Sequence, residues 1–471
     1  MTMRQDENRA DPVGADNEDG HPDTRLTGLT AGFVGEVRTC LGADRIDRVR
    51  ALAEPLGPAD LADLLESLDP RERARVVGAI RDSFDPTVLT ELDDSVRLEV
   101  VEQFDTADLA AAIAHLESDD ALYLIETLDE DRRIAVMQAM PAAFRAILEQ
   151  GLAYPESSAG RLMQRDVVAV PGFWTVGEVI DFLRLSQGLP DDFYDLFVVD
   201  PAHRPVGTVP TSRVLRNPRG TKVADIMEDR GLSVPTTMDQ EQVADIFRRN
   251  DLVSVPVVDA AGRVVGAITV DDIVDVIDQE AEEDLLGLAR TGERDIYASP
   301  LRTARRRQSW LLITLVNTIL ASIVISRFEG AIEKIVALAV LMPIVAAMGG
   351  NAGMQVITVM VQALAARDLA AGGTWRVVGK EVVVGVLNGV VFATIMGTIA
   401  TLWFGDPSLG LVLASAMMFN MVWAGLAGTL IPLTLERFRI DPAVAAGPFL
   451  TTTTDVLGFF VFLGLASTFL L

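Results

Sequence analysis

The chain has 471 residues, 49% of them hydrophobic, and 40 Lys and Arg stand against 67 Asp and Glu for a formal net charge of −27. That length exceeds one domain and suggests about three. A single cysteine, Cys40, excludes an intrachain disulfide, and three scattered histidines, His21, His115 and His203, do not make a zinc site. The charge is divided unevenly. Residues 301–471 hold 11 basic and 8 acidic residues, leaving 29 and 59 for the first 300, which is +3 against −30. A soluble half this acidic repels nucleic acid and favours cations.

In chain order, residues 1–30 read as a disordered acidic tail. They lack the apolar core of a signal peptide, so the soluble half is expected in the cytoplasm. Between 56 and 150 a unit recurs: LDPRERARVV from Leu68, LDDSVRLEVV from Leu92, FDTADLAAAI from Phe104, LESDDALYLI from Leu116 and LDEDRRIAVM from Leu128. Each has Leu or Phe, an acid at a helix N-cap position and then apolar residues at helical spacing, which predicts short stacked helices. One such unit cannot bury its own apolar face, so stacking is required.

From about 157 to 280 the pattern changes to short β-rich runs alternating with helices. SVPVVDAAGRVVGAITVDDIVDVI, from Ser254, reads as strand, turn, strand, helix, and FVVDPAHRPVGTVPTSRVL, from Phe197, is its weaker copy. The following helix is dense in acids: Asp271, Asp272, Asp275, Asp278, Glu280, Glu282, Glu283 and Asp284. Asp271, Asp275, Asp278 and Glu282 share one helical face, where like charges destabilise the helix and a divalent cation or basic partner would stabilise it.

Apolar stretches long enough to span a bilayer lie near 309–326, 335–364, 382–404, 409–435 and 444–470. Arg302, Arg305, Arg306, Arg307, Arg367, Arg376, Lys380, Arg437 and Arg439 fall on one side if there are five crossings, so the positive-inside rule puts the N-terminal half in the cytoplasm and the C-terminus outside. The second stretch contains PIVAAMGGNAGMQ, whose Pro343, Gly349, Gly350 and Gly353 weaken a helix while Asn351 and Gln355 add amide oxygens. Close packing through small residues is the other reading of those glycines. The fifth stretch begins Asp441-Pro442 and carries Gly447-Pro448 and Gly458, so two broken or kinked helices are expected to line one cavity. Asp455 is the only charged residue between Pro442 and Leu471. A charge at mid-bilayer costs about 2.5 to 3.5 kcal/mol on insertion scales and normally faces a water-filled path or a partner. A cation path is the sharp reading, and a packing carboxylate bonded to Thr451–Thr454 the plain one.

The stretch VADIMEDRGLSVPTTMDQEQVADIFRRNDLVSVPVVD followed by GAITVDDIVDVI resembles a tandem CBS module. Such pairs commonly bind adenosine nucleotides, and Thr269 and Asp272 match the Thr and Asp that hold the ribose. The first copy departs, with Pro210 and Arg213 at those positions. The whole order, with GGNAGMQ and DPAVAAGPFLTTTTD, resembles the MgtE family of magnesium channels.

That resemblance implies a multidomain, non-enzymatic membrane protein: disordered tail 1–30, all-α superhelical N-terminal domain 31–152, α/β CBS repeats 153–217 and 218–278, connecting (plug) helix 279–307 and an all-α transmembrane domain 308–471 with five helices. It implies a homodimer in the bilayer with a Mg²⁺ pore on its twofold axis, built from Asp455, Asn351, Thr451 and the backbone of Gly447. It also implies a cytosolic Mg²⁺ sensor from Asp239, Glu241, Asp251, Asp272, Glu283, Asp284 and Asp441 between the N, CBS and plug elements, with ATP near Thr269 and Asp272 as modulator. Ser299 stands where a sensor acid is expected. The main alternative is a proton-coupled or broader divalent transporter, carrying Mn²⁺ or Co²⁺ on the same scaffold. An intramembrane aspartyl protease lacks its Gly-Asp signature here, and a nucleotide sensor without transport leaves Asp455 without a role.

Overall fold

The computed structural model describes residues 29–186, 188–190, 193–228, 231–289, 300–365 and 373–471. All but residues 29 and 30 of the expected tail lie outside them, as do Ser299, Arg367 and the middle of the expected plug helix. The chain divides into two compact units, Met1–Tyr154 and Pro155–Leu471.

The first unit is entirely helical among the described residues. Its helices start where the recurring acids stand. Asp69 caps Pro70–Ile80 in a reciprocal capping box with Glu72, Asp105 caps Thr106–Ile113 through the amides of Ala107 and Asp108, and Asp129 caps Glu130–Ala139. Each helix buries one apolar stripe, and Leu64, Leu65, Val76, Leu89, Val100, Leu109, Ile125 and Val136 join one continuous core. Two arginines lie inside that core. Arg73 donates to the carbonyls of Leu65 and Leu68 and pairs with Glu99. Arg97, 24 residues on, donates to Leu89 and Leu92 and pairs with Asp94. Each guanidinium satisfies carbonyls left over at the end of the preceding helix.

The second unit opens with two copies of one small sheet. Strands β1 (Ala169–Pro171), β2 (Asp195–Val199) and β3 (Pro205–Pro210) form the first, and β4 (Val234–Pro235), β5 (Ser254–Val258) and β6 (Val264–Thr269) the second. In both, the first pair is parallel and the second antiparallel. The copies exchange their leading segments: Gln164 bridges to Ala267 of β6, and Glu228 bridges to Thr208 of β3. Glycine makes each crossing possible, since a Cβ on Gly266 would meet Met163 Sδ at 2.6 Å and one on Gly207 would meet Met227 Sδ at 2.9 Å. Arg213 donates to the Ile226 carbonyl and pairs with Glu228, so in the first copy the nucleotide-type aspartate is replaced by a residue that fastens this exchange.

After β6 a single helix, Val270–Ala289, runs from the second copy through the acidic stretch without a break. Five helices long and apolar enough to cross a membrane follow: Pro300–Ser326, Ala337–Ala365, Thr374–Phe404, Pro407–Arg437 and Pro442–Phe469, here the first to fifth spans. The fourth packs against the second, third and fifth, and the first packs against the fifth. Third and fourth spans approach through glycine: a Cβ on Gly425 would lie 2.7 Å from the Glu381 carbonyl and one on Gly385 2.8 Å from that of Met421. The breaks expected in the second and fifth spans do not occur. Pro343 and Pro448 sit inside continuous helices, because the glycines serve neighbouring helices that press against an intact backbone.

Candidate functional site

The GGNAGMQ segment divides between two faces of the second span. Gly349 and Gly353, one turn apart, face the bundle. A Cβ on Gly349 would lie 2.2 Å from Asn420 Nδ2, and one on Gly353 would lie 2.6 Å from Leu450 Cδ1. Asn351, Gln355 and Thr358 are exposed on the protomer surface and form a stripe at helical spacing. Both readings of the segment are therefore realised, small-residue packing on one face and amide oxygens on the other.

The depth of Asn351 follows from these contacts. Gly349 and Gly458 both abut Asn420, while Gly353 abuts Leu450 of the fifth span. Residue numbers thus rise along the second span as they fall along the fifth, and Asn351, midway between the glycines, comes level with the Thr454–Asp455 turn. Asp455 is half-buried. The hydroxyls of its threonine neighbours all donate to backbone: Thr451 to Gly447 at 3.0 Å, Thr452 to Pro448 at 2.7 Å, Thr453 and Thr454 to Leu450 at 3.0 Å. With those hydroxyls committed to carbonyls, the plain reading of a threonine-bonded Asp455 fails. The Gly447 carbonyl is the acceptor of Thr451, which joins two of the expected pore residues in one turn.

On the cytosolic elements the acids separate into groups. Asp239 caps helix Gln240–Asn250 by accepting from the Glu241 amide at 3.0 Å. Gln240 Nε2 donates to Glu280 Oε1 at 2.8 Å and ties that helix to the connecting helix. Burial pushes the Glu280 carboxyl above its ordinary value, and Glu283, Asp239 and Asp284 push it further. Asp284 is raised by burial and then by the Asp441 and Glu283 carboxylates. Asp441 caps the fifth span, accepting from Ala443 N at 2.8 Å, and Gly287 packs on Val444 and Ala443. One cluster of Asp239, Glu280, Glu283, Asp284 and Asp441 therefore lies where the connecting helix meets the fifth span. Asp251 stands outside it, exposed in a left-handed conformation with φ 49° at the end of its helix. Asp271, Asp275 and Asp278, on the stripe expected to attract a cation, are exposed. Asp272 instead accepts from the Thr269 hydroxyl at 2.9 Å, which brings the two expected ribose-binding residues together. Among the described residues of one protomer, no group of three or more His, Cys, Asp or Glu could hold a metal ion.

Three further residues belong to these sites although no motif marks them. Glu280 lies within the acidic run but outside the motif positions carried over. Asn420, in MMFNMVW, is an amide in the middle of an apolar span, a signal of burial with a partner. Glu381 falls inside the third span, 12% exposed and 3.1 Å from Lys380. It lines a cavity of about 190 Å³ with Gln355, Asn388, Gly385, Met421 and Gly425.

Three family profiles match the chain: a divalent cation transporter, MgtE, over residues 342–465, an MgtE intracellular N domain over 56–157, and a CBS domain over 223–279. The magnesium transporter MgtE of Bacillus subtilis is 29% identical over 427 residues, covering 90% of this chain and 95% of the relative. That of Thermus thermophilus is 31% identical over 435 residues, covering 89% and 94%. A solved cytosolic domain of the Mg²⁺ channel MgtE in complex with ATP aligns with 52% of this chain and 99% of its own at 28% identity and a TM-score of 0.48.

Proposed function

The chain belongs to the MgtE family of magnesium transporters, and from that premise we propose that it is a Mg²⁺-selective channel of the cell membrane, opened and closed by cytosolic Mg²⁺. The N-terminal half is cytoplasmic and the C-terminus outside, in keeping with the basic residues flanking the first, third and fifth spans.

The observation that carries this reading is Asp455, a lone carboxylate in an apolar span, level with Asn351 and left unbonded by its own threonines. One carboxylate per chain is too little for a divalent ion. A homodimer supplies two on an isologous axis, and the exposed stripe of the second span is the surface that faces it. Mg²⁺ prefers octahedral oxygen and gives up its waters reluctantly. Two Asp455 carboxylates, two Asn351 amides, and the Thr451 and Gly447 oxygens grip a hydrated ion without stripping it.

Gating follows from the acidic cluster. Glu283, Asp284 and Asp441 repel one another where the connecting helix meets the fifth span, and burial strengthens the repulsion by lowering the local dielectric. Mg²⁺ neutralises it and favours the packed, closed arrangement; its leverage is its differential affinity for the two states. Glu280 and Asp239 carry the effect to the second CBS copy through Gln240, and Glu241, Asp251 and Asp272 extend the acid-lined surface. ATP at the Thr269–Asp272 pair tunes the same equilibrium. Mg²⁺ uptake into proteoliposomes by wild type and Asp455→Ala, with the cytosolic face at low and high Mg²⁺, tests the reading.

A further inference from the structure

We infer that Asn420 is a positioning residue of the ion path: it sets the spacing between the second and fifth spans at the depth of Asn351 and Asp455, and through that spacing the choice among divalent cations. The inference rests on the channel reading above and deepens it.

Asn420 is fully buried in the middle of the fourth span. Its Nδ2 donates to the Val345 carbonyl at 2.7 Å, one turn before Gly349. Its Oδ1 is buried with no hydrogen-bond partner among the described residues. The amide is wedged between two glycines that nothing larger could replace without movement: a Cβ on Gly349 would lie 2.2 Å from Nδ2, and one on Gly458 would lie 3.0 Å from it. Gly349 is two residues from Asn351, and Gly458 is three residues from Asp455. One side chain therefore touches both helices that carry the pore oxygens, next to those oxygens.

The chemistry favours a polar wedge over an apolar one for this task. A leucine of similar volume would fill the gap without burying an unmet acceptor, so packing alone does not call for asparagine. The bond to the Val345 carbonyl fixes the rotation and height of the second span relative to the fourth, which apolar contact leaves free to slide. Mg²⁺ is particular about oxygen geometry, whereas larger ions tolerate irregular shells. A shift of the second span against the fifth thus weakens selection for Mg²⁺ before it abolishes passage.

The test is uptake by the full-length protein in proteoliposomes, comparing Mg²⁺ with Mn²⁺ and Ca²⁺ for wild type, Asn420→Leu, Gly349→Ala and Gly349→Ala/Asn420→Ala. Thermal unfolding in detergent is measured in parallel. Asn420→Leu is expected to fold, to keep its block by cytosolic Mg²⁺ and to lose about tenfold or more of its Mg²⁺ preference. Gly349→Ala alone is expected to lose thermal stability and uptake by collision with Asn420, and the double variant to recover both. Wild-type selectivity in Asn420→Leu, a harmless Gly349→Ala, or a double variant no better than Gly349→Ala overturns the inference. Absence of Mg²⁺ uptake by wild type overturns the channel reading itself, whereas the stability arm judges the wedge independently of transport.

Discussion

Asp284, near the end of the connecting helix, lies beside Asp441 at the N-cap of the fifth span, and the Asp441 carboxylate raises the Asp284 pKa on top of the effect of burial. Two like charges are thus held where a cytosolic helix meets a membrane helix. The repulsion opposes the contact that Gly287 makes with Val444 and Ala443. An ion that neutralises it changes the position of the helix that enters the membrane at Asp441-Pro442.

Because a Cβ on Gly287 would lie 3.2 Å from Val444 Cγ2, a Gly287→Cys/Val444→Cys pair is placed to form a disulfide. The only native cysteine, Cys40, is buried in the first unit. Oxidative cross-linking should be fast in millimolar Mg²⁺ and slow in chelator. Adding Asp284→Asn and Asp441→Asn should make it fast in both, and a rate indifferent to Mg²⁺ in the original pair would remove the cluster from the gate.

The raised carboxyls give the gate a pH dependence with a definite sign. Asp284 and Glu280 sit above their ordinary values of 3.8 and 4.5 in the packed arrangement. Between those values and the raised ones the packed state holds more protons, so its stability is greatest at low pH and declines as pH rises through that window. Uptake at low cytosolic Mg²⁺ should therefore fall as the cytosolic face is acidified towards the carboxyl range. Glu280→Gln with Asp284→Asn should flatten the profile.

Arg97 is 3% exposed, donates to two carbonyls and lies with its guanidinium carbon 4.7 Å from the centre of the Tyr123 ring. Arg97→Met keeps the stem but leaves the Leu89 and Leu92 carbonyls unpaired, at a cost of about 2 to 3 kcal/mol. Hydrogen exchange on the full chain should show lost amide protection around 88–113 and unchanged protection in residues 155–289.

Thr269→Ala removes the hydroxyl that donates to Asp272. Calorimetric titration with ATP should show affinity reduced by about tenfold, the size of one hydrogen bond. Linkage is reciprocal, so whatever ATP does to the Mg²⁺ midpoint in wild type, Mg²⁺ does to ATP affinity by the same factor. Wild-type ATP binding by Thr269→Ala would separate this pair from any nucleotide site.

The architecture was legible where periodicity and capping chemistry are local. Asp69, Asp105 and Asp129 mark helix starts by their position alone, and the Ser254–Ile277 pattern gives strand, turn, strand and helix directly. Asp455 was legible because a charge in an apolar run has no cheap explanation. What local pattern could not convey is which face of a helix meets which neighbour. Gly349 and Gly353 look like a break until Asn420 and Leu450 are seen against them. Arg73 and Arg97 look solvated until the carbonyls they serve are found eight and five residues back. Glu280 joins the cluster only because Gln240, 40 residues away, reaches it.

The most direct test of the account is Mg²⁺ uptake into proteoliposomes by wild type and Asp455→Ala, each with chelator or millimolar Mg²⁺ on the cytosolic face. The account predicts that wild type takes up Mg²⁺ only with the cytosolic face low in Mg²⁺ and that Asp455→Ala, assembled as well as wild type, takes up none. Equal uptake by the variant would make Asp455 a packing residue and contradict the pore.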